Sequence, residues 1–326
     1  MEITDMSVRK INSSDYPLVT FALFSFNQER YIKEAIESAA DQNYRNMEIL
    51  LSDDCSTDST FKIISDFFSN YRGPHKLTIN RNDENLGLVR HFNKIVAAAN
   101  GEIIVVAAGD DISLYDRVSK TVDVLSTSPD AMFLSFTDTT IDSEGAIIKK
   151  PLAAEKFQKL TIDDYLAGSL LPVTGASRGY RKKVFSTFGD LNENCMTEDT
   201  TSLLRSLMCG HGYVSTASGI LYRRHGKNLS APVSLQSMNF KAINDQYISD
   251  INLARSLCLV DDEKVLRLLD WTERNKRRKI LFKEFHESQS KFIFFIKKFL
   301  LNTDLKVIER FWMLKRCCSI NNRYKI

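Results

Sequence analysis

The chain has 326 residues, of which 43% are hydrophobic and 26% charged, the composition of an ordinary globular protein. Its longest apolar run, residues 103–108, is far shorter than the roughly 18 residues that a membrane span needs. The polar arm 1–16 lacks the apolar core of a signal peptide, so we expect a cytoplasmic protein. The six cysteines show no CxxC spacing, which argues against a zinc site or a disulfide framework.

Charge is unevenly distributed along the chain. Residues 271–326 carry 15 Lys and Arg against 5 Asp and Glu, a net charge of +10. Residues 1–270 hold the remaining 29 basic and 36 acidic residues, a net charge of −7. An acidic body with a basic tail predicts an anionic partner or surface for the tail.

Strands and helices alternate through the first 130 residues. Short apolar runs predict buried strands at residues 19–24, 47–51, 77–79 and 103–108. Apolar residues at helical spacing predict helices in the segments 32–39, 61–68 and 89–99. This alternation is typical of βαβ units, so we predict an α/β fold with a mostly parallel sheet covered by helices.

The alternation weakens beyond residue 130. Residues 132–136 and 147–148 predict strands, and mixed turn and helix signals follow up to residue 222. From about residue 239 the pattern is helical. We place a boundary near residues 230–237, which separates the α/β part from a helical region.

Two adjacent carboxylates, Asp110 and Asp111, follow the predicted strand 103–108. They repel each other unless a cation binds, and Mg²⁺ or Mn²⁺ with oxygen ligands would also recruit a diphosphate. Gly109 leaves room for a ligand near the backbone. The alternative is a solvated acidic turn. The same Gly-Asp-Asp triplet occurs in RNA-dependent polymerases, but the parallel sheet and the short chain argue against that class.

A second acidic pair, Asp53 and Asp54, ends a neighbouring predicted strand. Ligands of parallel sheets bind at the carboxyl ends of the strands, so both acidic pairs are expected at one edge. A carboxylate here can accept hydrogen bonds from a base N–H or from ribose hydroxyls. The alternative is that Ser52, Asp53 and Asp58 cap the helix that follows.

Several motifs follow one another in a fixed order through the first two-thirds of the chain. They are Phe24-Ser25-Phe26-Asn27, Gln42-Asn43-Tyr44, Asp53-Asp54-Cys55-Ser56-Thr57-Asp58, Asn85-Leu86-Gly87, Ala99-Asn100-Gly101-Glu102 and Gly109-Asp110-Asp111. In kind, order and spacing they resemble family 2 glycosyltransferases, from about residue 17 to residue 224. The resemblance implies a Rossmann-like GT-A fold, an inverting transfer, and a UDP-sugar donor with Mg²⁺ or Mn²⁺.

Residue by residue, the resemblance implies a donor site on the first half of the chain. It makes Asp54 the uracil contact and Asp111 the metal ligand, with Asp110 beside it on the donor sugar or the ribose. Arg90 matches, more loosely, a basic residue near the base and the phosphates.

Three further residues belong to the implied donor site. Phe24 and Asn27 lie in the motif that adjoins the nucleotide, and Phe24 stands where many relatives have Thr or Ser beside the base. We therefore expect a different contact with the base here. His225 stands where related enzymes often carry a His near the diphosphate or metal, although a lone His is often structural.

The segment Met196-Thr197-Glu198-Asp199 resembles the Glu-Asp motif of the family, whose Asp is the catalytic base. An inverting transfer needs one carboxylate to take the proton from the acceptor hydroxyl. The resemblance therefore implies Asp199 as the base and Glu198 beside it, with the turn at Gly175 near donor and acceptor. The alternative is that both acids complement the dipole at the start of a helix.

The basic tail contains a predicted amphipathic helix. On a helical wheel one broad arc is filled by Phe292, Ile293, Phe295, Ile296, Phe299 and Leu300. Lysines 291, 297 and 298 lie opposite, together with Phe294 and Leu301. The pattern fits an interfacial helix on an anionic membrane, and equally a helix packed on the catalytic domain. No recognition module accompanies the tail, so we do not expect a nucleic-acid partner.

These observations predict three regions: a polar arm 1–16, a GT-A domain 17–230 with a nucleotide-sugar-binding half 17–125 and an acceptor half 126–230, and a basic helical region 231–326. The expected function is transfer of a sugar from a nucleotide-diphosphate donor to a glycan or lipid-linked acceptor. O-antigen or capsule assembly at the inner face of the membrane is the setting that analogy suggests. A nucleotidyltransferase and a non-catalytic nucleotide-sugar-binding protein are the alternatives.

Overall fold

The structure, a computed structural model, describes residues 16–151, 154–168, 171, 173–226, 228 and 239–287. Its strands are β1 (Val19–Ser25), β2 (Met47–Asp53), β3 (Lys76–Arg81), β4 (Ile103–Ala108), β5 (Ile112–Ser113), β6 (Ala131–Ile141), β7 (Ile147–Lys149), β8 (Phe157–Leu160), β9 (Gly179–Arg181) and β10 (His211–Arg223). Its helices are α1 (Ile32–Ala40), α2 (Thr60–Asn70), α3 (Leu88–Ala98), α4 (Arg117–Thr127), α5 (Ile162–Leu166), α6 (Lys183–Phe188), α7 (Asp199–Cys209), α8 (Phe240–Ser256) and α9 (Asp262–Glu287).

One ten-stranded sheet organises the described residues. Its strands lie in the order β3-β2-β1-β4-β9-β6-β10-β5, with β7 beside β6 and β8 beside β10. The first four strands in this order are parallel, whereas β9 pairs antiparallel with both β4 and β6. The predicted α/β fold is confirmed, and the sheet is mixed rather than parallel beyond β4 because β9 enters in the opposite direction.

Apolar side chains of β1 alternate between the two faces of the sheet because successive residues of a strand point to opposite sides. Val19, Phe21 and Leu23 join the hydrophobic cluster under α1 and α4. Ala22 joins a larger cluster formed with α3, α7, α8 and α9. All seven residues of β2 are buried because helices cover both faces of the sheet.

Helices α8 and α9 pack on the larger of these clusters. Arg205 of α7 is 1% exposed and forms a bidentate ion pair with Asp250 of α8, at 2.8 and 2.9 Å. The Trp271 ring of α9 contacts the rings of Tyr165 and Tyr247, with centroids 5.3 and 5.4 Å away. Of the two interpretations of the tail, the structure favours packing on the α/β domain for the part that α8 and α9 cover.

Three sequence predictions concern residues outside the described ones. They are the polar arm up to residue 15, the boundary near residues 230–237 and the amphipathic helix at 291–301. The division of the chain into three regions therefore stays a prediction. Within the described part, no helix is both long enough and apolar enough to cross a bilayer.

Candidate active site

The acidic loops after β2 and β4 lie on either side of the end of β1. Ser25 pairs with Asp53 in the register of β1 and β2, and Phe24 pairs with Ala108 in the register of β1 and β4. Because these strands are parallel, their carboxyl ends meet at one edge of the sheet. The structure thus brings both acidic pairs to the same edge.

The Asp54 carboxylate anchors a turn in the loop before α3. It accepts hydrogen bonds from the side-chain amide of Asn82 at 2.8 Å and from the backbone N–H groups of Leu86 and Gly87, both at 2.9 Å. Gly87 has a φ of 75°, in the left-handed region that favours glycine. The residue that the resemblance makes the uracil contact therefore also shapes the adjoining loop, and its contact with a base stays a prediction.

Asp53 and Asn27 fix the loop between β2 and α2. Asp53 accepts hydrogen bonds from the backbone N–H of Ser56, at 2.8 Å, and from the Ser56 hydroxyl. The Asn27 N–H donates to Ser56 Oγ at 2.8 Å, and Asn27 Oδ1 accepts from the N–H of Thr57 at 2.9 Å. Asp53 thus stabilises the turn that leads into α2. This role is similar to the helix capping that the sequence left open as an alternative. Asn27, implied to bind the donor, ties the end of β1 to this loop.

Phe24 lies above a buried histidine. Its ring meets His91 edge-on, with 6.3 Å between the centroids, and His91 Nε2 lies 2.7 Å from Ser52 Oγ. Burial lowers the pKa of His91, so the neutral imidazole is favoured. His91 therefore links α3 to β2 beneath the predicted nucleotide position, a role that the sequence spacing did not indicate.

Arg90 lies on the surface of α3, beside the turn that Asp54 anchors. Its guanidinium approaches Glu84 at 3.4 Å and Glu193 at 3.5 Å, and nearly half of its side chain is exposed. Exposed ion pairs of this kind contribute at most about 1 kcal/mol. Exchanging them for a phosphate would cost little, which is compatible with the implied role of Arg90.

Asp110 and Asp111 are both buried, with 8% and 6% of their surface exposed. Asp111 Oδ1 accepts a 2.8 Å hydrogen bond from the backbone N–H of Arg223, whose Nε donates to the Asp110 carbonyl at 3.0 Å. Burial, and then the neighbouring charge of Asp110, raise the pKa of Asp111 well above its ordinary value. The end of β10 thus closes over the acidic pair and brings His225 with it.

Tyr31 organises the groups around this pair. Its ring stacks on the imidazole of His225 with 5.0 Å between the centroids, and the Arg223 guanidinium lies 4.8 Å from the ring centroid. Arg223 also pairs with Glu34 of α1. These residues come from distant parts of the chain, so sequence spacing could not predict their association.

Carboxylate oxygens such as those of Asp110 and Asp111 are the donors that Mg²⁺ and Mn²⁺ prefer. Asp110 Oδ2 and His225 Nε2 lie 2.8 Å apart, so both can face one ion. Asp111 is beside them, with a pKa that burial and the Asp110 charge raise. The structure therefore places His225 beside Asp110, and its implied position near a diphosphate or metal stays a prediction. Among the described residues, no three His, Cys, Asp or Glu side chains are arranged to hold an ion. Substrate oxygens and water would have to complete the coordination.

Asp199 begins α7 and lies against the turn that contains Gly175. A Cβ placed on Gly175 would come within 2.7 Å of Asp199 Cβ, so this turn requires glycine. The buried Arg178 donates a hydrogen bond to the Asp199 carbonyl. Burial, and then the Asp199 charge, raise the pKa of Glu198 to about 7. The two adjacent carboxyl groups therefore include one that exchanges a proton near neutral pH.

Arg117 joins the two acidic regions, although the sequence did not single it out. It is 1% exposed, and its guanidinium donates to the carbonyl oxygens of Val106 at 2.6 Å, Ala176 at 3.2 Å and Arg178 at 3.4 Å. Val106 lies in β4, and the other two acceptors lie in or just after the turn beside Asp199. Burial lowers the pKa of Arg117 to about 10. Arg117 therefore holds the turn beside Asp199 against β4, the strand that precedes the acidic pair.

A sheet with acidic loops at its carboxyl edge and a further carboxylate pair beside it is the arrangement expected of GT-A glycosyltransferases. The sequence model of glycosyl transferase family 2 matches residues 20–189, just over half of the chain. The protein belongs to this family. The uncharacterized protein Rv1520 of Mycobacterium tuberculosis is 27% identical over 207 residues, which are 63% of this chain and 58% of that protein. The chain thus spans a little under three fifths of the length of this relative.

Solved structures of two other proteins share the fold. Residues 1–349 of S. aureus TarS, in complex with UDP-GlcNAc, give a TM-score of 0.60 at 16% identity, covering 88% of this chain and 77% of that one. The mannosyltransferase PcManGT from Pyrobaculum calidifontis, in complex with GDP-Man and Mn²⁺, gives 0.55 at 15% identity, covering 94% and 87%. At these identities the likeness concerns the fold alone, and the predicted GT-A fold is confirmed.

Proposed function

We propose that this protein is a glycosyltransferase that moves a sugar from a nucleotide-diphosphate donor, specifically a UDP-sugar, to a hydroxyl group of a glycan or lipid-linked acceptor. The observation that supports this most directly is the link through Arg117 between the pair Asp110-Asp111 and the turn beside Glu198-Asp199. The first pair suits a cation-bound diphosphate and the second suits proton removal. Transfer between the two requires both groups on one side of the sheet.

An inverting transfer needs one carboxylate on the acceptor side. Asp199 accepts the proton of the acceptor hydroxyl. The hydroxyl oxygen attacks the anomeric carbon at the same time, and the bond from that carbon to the diphosphate breaks. Gly175 leaves the space in which the Asp199 side chain lies, and Arg178 fixes its backbone. The base is therefore held by the fold, and no covalent intermediate is required.

Asp110, Asp111 and His225 would supply part of the coordination of Mn²⁺ or Mg²⁺, and substrate oxygens and water would complete it. The oxygen and nitrogen donors of these three side chains suit either ion, and PcManGT, which has the same fold, binds Mn²⁺ in its complex. A divalent ion supplies stabilisation of the negative charge that develops on the departing diphosphate. Without it, the buried Asp111 carboxylate lies beside a second carboxylate at a cost in stability.

The identities of the donor nucleotide and of the acceptor rest mainly on the resemblance to the family. UDP-GlcNAc binds TarS and GDP-Man binds PcManGT, so the fold accepts more than one nucleotide. The choice of UDP rests on Asp54 and on the resemblance. By analogy with the family, the acceptor belongs to a bacterial surface polysaccharide such as O-antigen or capsule, assembled at the inner face of the membrane.

Thermal unfolding with a panel of nucleotide sugars, with and without Mn²⁺, tests the proposal. A ligand at 100 times its Kd adds about 2.7 kcal/mol to the free energy of unfolding, so the true donor should raise the midpoint, and more so with Mn²⁺. Donor hydrolysis in the same samples separates a transferase from a non-catalytic binder. Stabilisation by nucleoside triphosphates, but by no nucleotide sugar, would indicate a nucleotidyltransferase and contradict the proposal.

A further inference from the structure

The carboxylate of Asp138 lies next to the turn that positions the base, and the proposed mechanism does not use it. Asp138 belongs to β6, and its Oδ1 accepts a 3.0 Å hydrogen bond from Thr174 Oγ1. Thr174 immediately precedes Gly175, which lies against Asp199. Only one side chain therefore separates Asp138 from the turn that carries Gly175.

Asp138 is two strands away, across the sheet, from the segment that follows the acidic pair. In the register of the sheet Asp138 pairs with Ile220 of β10, and Ile220 pairs with Ser113 of β5, two residues after Asp111. The Asp138 charge contributes to the raised pKa of Asp111, and both carboxylates counter the lowered pKa of Arg117. Asp138 thus lies in the part of the sheet between the end of β4 and the turn beside Asp199.

One oxygen of the Asp138 carboxylate is held by a hydrogen bond from the protein. Within the described residues Thr174 donates the hydrogen bond to Oδ1 of Asp138. The residue as a whole is only partly buried. Thr174 is itself fixed, because its hydroxyl lies 2.7 Å from Ser177 Oγ, which donates to the Phe136 carbonyl at 2.6 Å. The Asp138 carboxylate is therefore held by a fixed side chain.

We propose that Asp138 binds a hydroxyl group of the transferred sugar through Oδ2 and so helps to select the donor sugar. The inference rests on the proposed function, in which the sugar lies between the diphosphate at Asp110-Asp111 and the base Asp199. A carboxylate oxygen in that space accepts hydrogen bonds from hydroxyl groups, and the Thr174 contact fixes their direction. A sugar without a hydroxyl at that position would leave Asp138 without its partner, which discriminates strongly between donors.

Binding of a nucleotide sugar compared with binding of its nucleoside diphosphate tests this role. The variant Asp138→Asn keeps the shape of the side chain and removes its charge. Isothermal titration with Mn²⁺ would use UDP, UDP-GlcNAc, UDP-glucose, UDP-galactose, GDP and GDP-mannose. We expect the Kd of the nucleoside diphosphate to stay within about twofold, and the Kd of the preferred nucleotide sugar to rise by about tenfold or more. Asp123→Asn, at a half-buried carboxyl group on α4, is the matched control and should change neither value.

Each outcome of the titration decides between the proposals. An unchanged Kd for the sugar in Asp138→Asn, or an equal loss for sugar and diphosphate, would overturn the role of Asp138. A wild-type protein that binds none of the nucleotide sugars would overturn the proposed function itself. If Asp138→Asn does not fold, Thr174→Val carries the test, because it removes the hydrogen bond that fixes Asp138. That variant should lose affinity for the sugar selectively, and unchanged selectivity would overturn the inference.

Discussion

Gly175 and Asp199 are in direct contact across two elements. A Cβ on residue 175 would lie 2.7 Å from Asp199 Cβ and 3.1 Å from Asp199 Oδ2. Real Cβ atoms essentially never approach another atom to 2.7 Å, so the turn approaches α7 this closely because residue 175 is glycine. The position of the proposed base therefore depends on a residue 24 positions earlier in the chain.

The variant Gly175→Ala should displace the Asp199 side chain. A displacement of about 1 Å can lower turnover by roughly 10²-fold, whereas donor affinity should change little because the donor residues lie mostly on the β1–β4 half. Steady-state kinetics and donor titration would measure the two effects. Gly226→Ala is the control, because nothing lies within 4 Å of a Cβ there. Normal turnover in Gly175→Ala would show that the contact does not constrain the base.

Asp199→Asn should lower turnover by about 10²–10⁴-fold, the contribution that general-base catalysis makes, with donor affinity near normal. Glu198→Gln should have a smaller effect. Measurement of kcat and donor Kd for both variants checks which of the two changes lowers turnover more. If Glu198→Gln is the more damaging change, the two residues exchange roles, and an equal loss of binding in Asp199→Asn would place Asp199 in the donor site.

The pH dependence of stability should identify Glu198. Its pKa is raised from 4.5 to about 7 in the folded protein, mainly by burial and then by the Asp199 charge, with Arg178 opposing the shift. The folded state therefore binds more protons than the unfolded state between these values, and the free energy of unfolding falls as pH rises through that window. Glu198→Gln removes this pH dependence of the free energy of unfolding, so the variant should gain stability relative to wild type between pH 5 and pH 8. A difference that stays constant over this range, measured by urea unfolding, would argue against the raised pKa.

Asp111→Asn should stabilise the metal-free protein and abolish its activity. The pKa of Asp111 lies well above 3.8, so its ionised form lowers the stability of the wild type at pH 8, mainly through burial. An Asn at this position can still accept the hydrogen bond from the Arg223 backbone. Thermal unfolding without metal should show a higher midpoint, while Mn²⁺ should no longer strengthen nucleotide binding. Metal-dependent affinity that survives in the variant would exclude Asp111 as a ligand.

Truncation after Glu287 tests the membrane hypothesis while keeping α9 whole. Cutting after Leu269 would also remove Trp271 and Leu281, which are buried, and should destabilise the protein whatever the tail binds. If residues 288–326 bind an anionic membrane, the protein ending at Glu287 should keep its unfolding midpoint and lose co-sedimentation with anionic vesicles. Salt should weaken the binding of the intact chain. Intact protein that does not co-sediment with such vesicles at low salt would contradict the hypothesis.

The elements of the first half could be predicted because their signals are local. The predicted strands 19–24, 47–51 and 103–108 lie within β1, β2 and β4. By contrast β10 was missed, since its 13 residues include Ser, Thr and Gly and lack regular alternation. Pairing with β6, β8 and β5 defines this strand, and its register against β6 shifts at three places.

The sequence by itself determined which chemistry the edge of the sheet could carry. Asp54, Asp110, Asp111 and Asp199 stand out because each ends a strand or begins a helix within a recognisable motif. The tertiary structure alone decided their partners. Arg223 meets Asp111 from 112 residues away, and similar long-range contacts place the Arg117 guanidinium and Asp138 around the site. A buried charge is stabilised by its neighbours in space, which sequence spacing does not specify.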